Sequence, residues 1–316
     1  MPITSKLFFG RMQTVTHTLA ILAMMAGLFG LLGYLILGTA GLFLASALCV
    51  VFLTATPRIA PGLVLRMYGA RELSQGEAPG LYTVVAELAQ RAGLPAAPRL
   101  YYIPSKVMNA FSVGNRQGSA IAISDGIVRY LDWREIAGVL GHEIGHIRNN
   151  DLWLYSLADM LSRVTAALSL IGQLLMVVYL PLWLFTHQRI SLLIIALLFF
   201  APALATLMQL ALSRTREFAA DQAAVELTGD SQGLAAALMK MDTYQSRFWE
   251  SLFLPGRNVP EPSVLRTHPH TAERIERLRM LGEGQPYRRV QQGMMLPDHF
   301  PVVERPPRWH WLRPWH

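Results

Sequence analysis

Residues 141 to 146 read Gly141-His142-Glu143-Ile144-Gly145-His146, and the H-E-x-x-H spacing within them is the strongest structural signal in the chain. On a helix, His142 and His146 lie one turn and about 40° apart, so both imidazoles can reach one ion at roughly 2.0–2.1 Å. Glu143 lies beside the pair and could take a proton from water activated by zinc. The spacing indicates half of a zinc site for peptide hydrolysis; two surface histidines on an amphipathic helix are the alternative.

The residues around this motif predict a helix. Asp132 is a suitable N-cap, and Glu135 follows three residues later in a capping-box pattern. A core stripe follows at helical spacing: Ile136, Leu140, Ile144 and Ile147. The two histidines fall on an adjacent stripe with Glu135 and Val139. One helix can therefore serve packing and metal binding together.

An excess of apolar residues predicts membrane spans. The chain of 316 residues is 52% hydrophobic, with mean hydropathy +0.31. Residues 12–57 carry no Asp, Glu, Lys or Arg, which is enough for two helices at about 20 residues per crossing. We expect the turn at residues 38–41 and close helix packing at three glycines, Gly27, Gly30 and Gly33. A signal peptide is the rival interpretation, but its apolar region would be much shorter.

A second apolar hairpin determines which residues can reach the two histidines as a third metal ligand. Residues 164–188 and 190–213 are each long enough to span, and Pro181 and Pro202 could kink or shorten them. Two spans return the chain to the side it left, so Glu217 can meet the histidines and complete the ligand set. Asp221 lies one turn later. It could accept a ring N–H from a ligand histidine or remain a solvated carboxylate paired with an arginine.

Charge and cysteine content exclude other classes of protein. The net charge is +7, but no lysine-rich run or aromatic platform accompanies it, so we expect no nucleic-acid partner. Positive-inside bias explains the charge better, and it places the N-terminus and catalytic segments in the cytoplasm; the flanking basic residues are Lys6, Arg11, Arg58 and Arg66. The only cysteine, Cys49, lies inside an apolar run, which excludes a disulfide framework and a cysteine metal site.

Between the two hairpins the sequence predicts a small α/β segment. One helix is expected around Leu81–Leu88, and a strand at Arg99–Ile103 follows Pro95 and Pro98. A hairpin should then form from residues 109–113 and 119–123 around a glycine-bounded turn. An exposed edge strand beside a metal could hold an extended peptide by main-chain hydrogen bonds. An ordinary structural hairpin would have the same spacing.

Four motifs in order resemble the membrane gluzincin metallopeptidases, which include the HtpX heat-shock proteases and the CAAX prenyl proteases. The resemblance covers roughly residues 60 to 281. The matching segments are Asn109-Ala110-Phe111, His142–His146 with Asn150-Asp151 after it, Arg216–Asp221, and Thr267-His268-Pro269 leading to Arg274-Ile275.

The resemblance implies a role for each matching residue. One zinc ion per chain would be bound by His142, His146 and Glu217. Glu143 would be the general base, His268 would approach the tetrahedral oxyanion, and Arg274 would buttress the carboxylates around the metal. The substrate-binding edge strand would be Asn109-Ala110-Phe111.

Together these observations predict a mainly α protein with a small β-sheet: a polytopic membrane protein with four transmembrane helices and a zincin-type metalloprotease domain. The expected segments are a hairpin at 1–57, catalytic segments at 58–163 and 214–284, a second hairpin at 164–213, and a basic, Pro/Trp-rich, flexible tail at 285–316. The loop at 251–266 is either a lid or a plain connector.

The leading functional hypothesis is a zinc endopeptidase of the bacterial inner membrane that cleaves misfolded or damaged membrane proteins. Its partners would be polypeptide substrates and the lipid bilayer. Prenyl-protein processing is an alternative, although CAAX prenyl proteases have more spans. A non-catalytic receptor or scaffold with structural zinc is the other alternative, and the presence of Glu143 argues against it.

Overall fold

The computed structural model describes residues 3–55, 61–186, 192–252, 271–282 and 303. The chain divides into two units: residues 1–57 with 153–216, and residues 58–152 with 217–316. The helices are α1 Ile3–Ala55, α2 Pro61–Met67, α3 Pro79–Arg91, α4 Asp125–Tyr130, α5 Trp133–Arg148, α6 Asp151–Thr186, α7 Leu192–Thr228, α8 Ser231–Leu252 and α9 Thr271–Gly282. The strands are β1 Arg71–Glu72, β2 Arg99–Ile103, β3 Ala110–Asn115 and β4 Gly118–Ser124.

A four-stranded sheet in the order β1-β2-β4-β3 organises the second unit. Strands β2 and β4 are parallel, and the other pairs are antiparallel. Because side chains alternate along a strand, Ile121 and Ile123 join the core that includes α5, whereas Ala120 and Ala122 cluster with Leu65 of α2 on the other face. The predicted strand at 99–103, the hairpin after it and helix α3 are confirmed.

Helix α1 accounts for two of the predicted membrane spans. Its helical geometry breaks at Gly38, which has φ +62°, a left-handed conformation that glycine adopts readily. Beyond the break the chain doubles back, so the rings of Phe29 and Phe52 stack 6.4 Å apart. The two halves of α1 approach closely at Gly33 and Gly41, where a Cβ on Gly41 would lie 1.9 Å from the carbonyl oxygen of Gly33. The packing role predicted for Gly27 is wrong, since nothing lies within 4 Å of a Cβ there.

Three helices among the described residues are long and apolar enough to cross a membrane: Met12–Thr54, Asp151–Val178 and Ile194–Thr228. The first of these is interrupted at Gly38, and the three helices overlap the apolar runs predicted at residues 12–57, 164–188 and 190–213. Helices α6 and α7 also extend beyond the predicted bounds of 164 and 213, since their polar ends continue as helix. Residue 189, which separates the predicted runs 164–188 and 190–213, lies outside the described residues.

An interhelical contact explains how Pro202 is tolerated inside α7. Proline has no amide N–H, so the carbonyl of Leu198, one turn earlier, loses its usual helical donor. Two side chains of α6 replace that donor: Ser169 Oγ donates to this carbonyl, and Gln173 Nε2 donates to it over 3.1 Å. An apolar membrane cannot satisfy a freed carbonyl, so this contact stabilises the pairing of α6 and α7.

Candidate metal centre

Helix α5 carries the two histidines of the motif. It begins with the predicted capping box, in which Asp132 accepts from the Glu135 amide over 2.9 Å and Glu135 accepts from the Asp132 amide over 2.8 Å. The predicted core stripe is buried, but so is every residue from 135 to 147. His142 and His146 are only 4% and 6% exposed. The alternative of two surface histidines is therefore wrong.

Glycines on α5 let α7 approach the histidines. A Cβ on Gly145 would lie 2.9 Å from the Cβ of Ala223, and one on Gly141 would lie 3.1 Å from Cγ2 of Thr228. Both distances are shorter than ordinary side-chain contacts. The close packing of these two helices brings Glu217, earlier on α7, opposite the histidines.

Metal-binding atoms of three buried residues converge at this point. His142 Nε2 lies 3.1 Å from His146 Nε2 and 3.4 Å from Glu217 Oε2, and His146 Nε2 lies 3.5 Å from Glu217 Oε1. Ligands bound tetrahedrally at roughly 2.0–2.1 Å are separated by about 3.3 Å. Among the described residues, His142, His146 and Glu217 are the side chains whose ligand atoms lie close enough together to hold a metal ion. Their spacing fits one small metal ion.

The outer nitrogens of both rings face carboxylates. His142 Nδ1 lies 2.9 Å from Asp221 Oδ1, and His146 Nδ1 lies 2.8 Å from Asp151 Oδ2. A carboxylate accepts, so each Nδ1 carries the proton in the neutral ring and each Nε2 presents its lone pair. Two lone pairs and the carboxylate of Glu217 then face one another, an arrangement that favours a cation between them.

Helix α9 contributes Arg274, which is buried beside the carboxylates of Asp221 and Glu217. Its Nε and Nη2 donate to Asp221 over 2.8 and 2.6 Å, and its Nη1 lies 3.1 Å from Glu217 Oε2. Although burial alone would lower the pKa of Arg274, the charges of Asp221 and Glu217 raise it above its ordinary value. Asp221 is thus buried and paired with an arginine while it also contacts His142. The solvated alternative for Asp221 is wrong.

The pKa values of His142 and His146 are raised by the excess of negative charge around the two rings. Burial alone would lower the pKa of His146, but hydrogen bonds to Asp151 and Glu217 raise it to about 10. The pKa of His142 also rises, because contacts with Asp221 and Glu217 outweigh burial and the repulsion of Arg274. The carboxylates that raise both pKa values attract positive charge to this point. A divalent cation would supply that charge and leave both rings neutral.

The structure describes the predicted general base and the predicted substrate-binding strand, but not His268. Glu143 is buried on α5 directly after His142. Strand β3 lies at the edge of the described sheet, next to α5. Asn109 pairs with Ser124, so the alternation of an antiparallel ladder turns the main chain of Ala110 and Ser112 towards the open edge. His268 and residues 253–266 of the expected lid lie outside the described residues.

Two contributions to this centre were missed in the sequence. Asp151 follows the motif by five residues, but nothing in its spacing showed that its side chain returns to His146. The glycines of α5, at 138, 141 and 145, do form a stripe of small residues at helical spacing. That stripe is a signal for close helix packing, and it could have been used.

The chain is similar to several known proteins. The family model of Peptidase family M48 matches residues 76–281. A curated "Protease HtpX homolog" of Salinibacter ruber is 36% identical over 283 residues, covering 85% of this chain and 99% of that protein. Another of the same name from Thermococcus kodakarensis is 34% identical over 289 residues, covering 84% and 96%. The crystal structure of S. mikatae Ste24p gives a TM-score of 0.43 at 24% identity, covering 86% of this chain and 66% of that one.

Proposed function

The chain belongs to peptidase family M48, and on that premise we propose that this integral membrane metalloprotease is a zinc endopeptidase with Glu143 as its general base. The observation that carries the proposal is the buried triangle of His142 Nε2, His146 Nε2 and Glu217 oxygens with sides of 3.1–3.5 Å. Three protein ligands leave a fourth position open, as in catalytic zinc sites. A closed structural site would use four.

The side chains of the centre divide the chemistry among them. When bound, zinc would polarise the scissile carbonyl and lower the pKa of water. Glu143 takes a proton from the attacking water and delivers it to the leaving amine. Asp221 and Asp151 hold the two imidazoles with their Nε2 atoms inward, while Arg274 holds Glu217 and Asp221 in place. His268 stays the predicted donor to the oxyanion.

The proposed substrates are misfolded or damaged membrane proteins. Edge strand β3 could bind an extended peptide through main-chain groups, a mode that reads little sequence and suits unfolded segments. In this proposal Ala110 and Ser112, rather than Asn109 and Phe111, offer the outward main chain. Basic residues flanking the apolar runs support a cytoplasmic active site, and we propose that the membrane is a bacterial inner membrane.

Cleavage of an unfolded protein by the purified chain in detergent tests this proposal. Wild type should cleave after zinc is restored to metal-free protein, and Glu143→Gln should lose at least about 100-fold in rate because the base is gone. Equal cleavage by both would contradict the assignment of Glu143. No zinc-dependent cleavage by wild type of either unfolded soluble or membrane proteins would favour a zinc-containing receptor instead.

A further inference from the structure

Helix α2 has apolar side chains on both faces. On its inner face, Leu65 is buried and clusters with the sheet, including Val113 of edge strand β3. On its outer side, Leu63 is 59% exposed and Met67 is 78% exposed, and these two lie one turn apart. Tyr68 follows directly and is 51% exposed, with its ring 4.8 Å from that of Phe111. Three large apolar side chains are thus grouped on a short exposed segment of the second unit, residues 58–152 with 217–316, which is the catalytic unit of the proposed function.

The sequence position of this apolar face indicates what covers it. Helix α1 is apolar enough to span a membrane as far as Thr54 and ends at Ala55, and α2 begins at Pro61. Six residue steps reach at most about 21 Å, so the chain can carry α2 no farther than that from the end of the candidate span. The same helix exposes Arg66. Basic, aromatic and aliphatic side chains together are typical of segments that lie in the membrane interface.

We propose that α2 lies on the surface of the chain's own phospholipid bilayer, with Leu63, Met67 and Tyr68 inserted at the boundary of headgroups and acyl chains. Arg66 meets anionic headgroups there. The inner face of α2 stays packed on the sheet through Leu65, so the helix couples the bilayer surface to the catalytic unit.

This contact has a consequence for substrate access, which rests on the proposed function. Because α2 packs on β3, a bilayer-bound α2 keeps the open edge of β3 near the headgroups. Segments of membrane proteins that unfold just outside the bilayer would meet this edge first.

Site-specific labelling tests the contact without any measurement of activity, so its failure is distinguishable from failure of the proposed function. Cys49 is the only cysteine, and Cys49→Ser gives a background free of native thiols. In that background Met67→Cys is labelled with an environment-sensitive fluorophore. The full chain is then reconstituted into vesicles of phosphatidylcholine and phosphatidylglycerol. Leu63→Cys gives a second reading on the same face, and Gln117→Cys, exposed in the β3–β4 turn, is the matched control.

Two quenchers read the position of each label. We expect a lipid-attached nitroxide to quench the labels at 67 and 63 several-fold more than the label at 117, and aqueous iodide to quench them several-fold less. Omitting phosphatidylglycerol should lower the nitroxide quenching at 67. Equal quenching at 67, 63 and 117 would overturn the proposal. The proposal would also be overturned if the label at 67 were shielded from iodide only after unfolded polypeptide is added. That result would show that the exposed face of α2 binds peptide.

Discussion

At the scale of single residues, both histidines are oriented by carboxylates that lie outside the donor triangle, which is formed by His142 Nε2, His146 Nε2 and the Glu217 oxygens. Asp221 of α7 contacts His142, and Asp151, the first residue of α6, contacts His146. Asn150 makes the second contact possible: its φ of 56° turns the chain sharply between α5 and α6, a conformation that asparagine tolerates better than most residues. The fully buried carboxylate of Asp151 thus returns to α5 and fixes the ring of His146 before a metal arrives.

Asp151→Asn tests this orienting contact. An amide keeps the shape but loses the negative charge, so the basicity of His146 Nε2 should fall. We expect zinc affinity to drop about 10- to 100-fold, measured by competition with a chromophoric chelator. Asp159→Asn, a partly exposed carboxylate on the same helix, should leave the affinity unchanged. Wild-type affinity in Asp151→Asn would remove Asp151 from the support of the metal.

At the scale of elements, the local signals of α5 predicted the helix, its cap and the pair of histidines on one face. Its burial on nearly all sides was not predictable, because it depends on α7 and α8, which arrive from far along the chain. Gly138 shows this: a Cβ there would lie 2.8 Å from the amide nitrogen of Leu234 in α8. Periodicity reveals which residues share a face, but it does not reveal which helix covers that face.

Gly145→Ala tests the close approach of α5 and α7. The added methyl would meet Ala223, so the two helices must move apart and carry Glu217 away from the histidines. We expect a loss of about 1–3 kcal/mol in unfolding free energy together with weaker zinc binding. Gly27→Ala is a matched helical control, since its Cβ meets nothing within 4 Å. Unchanged stability and zinc affinity in Gly145→Ala would contradict this packing.

A double-mutant cycle tests the contact between α6 and α7 around Pro202. Replacing both donors, Ser169→Ala with Gln173→Leu, should cost about 1–2 kcal/mol because the carbonyl of Leu198 loses its partners. In a Pro202→Ala background the cost should shrink, because the new amide N–H at 202 can donate to Leu198. Unfolding in mixed micelles measures both costs. Equal costs in the two backgrounds would show that the side chains do not replace the missing donor.

At the scale of the whole molecule, the sequence predicted the class, the long apolar helices and the residues that form the donor triangle. The apolar runs and H-E-x-x-H are local patterns, and the even number of spans then placed Glu217. The C-terminal segment was harder to predict. Residues 285–316 were expected to form a flexible tail, yet Val303 is 1% exposed and belongs to the core cluster that includes Leu88 and Leu227. One apolar residue among prolines and arginines gives no periodic signal.

Val303→Gln tests whether this residue contributes to the core. Burying an amide in place of an apolar side chain should cost about 2 kcal/mol or more and lower the thermal midpoint in detergent. The same replacement at an exposed position, Met280→Gln on α9, should change the midpoint little. If the two variants melt together at the wild-type midpoint, Val303 does not stabilise the catalytic unit.

We propose that His142, His146 and Glu217 hold one zinc ion while Glu143 acts on the substrate. The most direct measurement is the zinc content of three purified proteins: wild type, Glu143→Gln and Glu217→Ala. We predict one zinc per chain in wild type and in Glu143→Gln, and loss of most of the zinc in Glu217→Ala, because two histidines alone bind weakly. Full occupancy in Glu217→Ala, or zinc-free wild type after incubation with zinc, would contradict the claim.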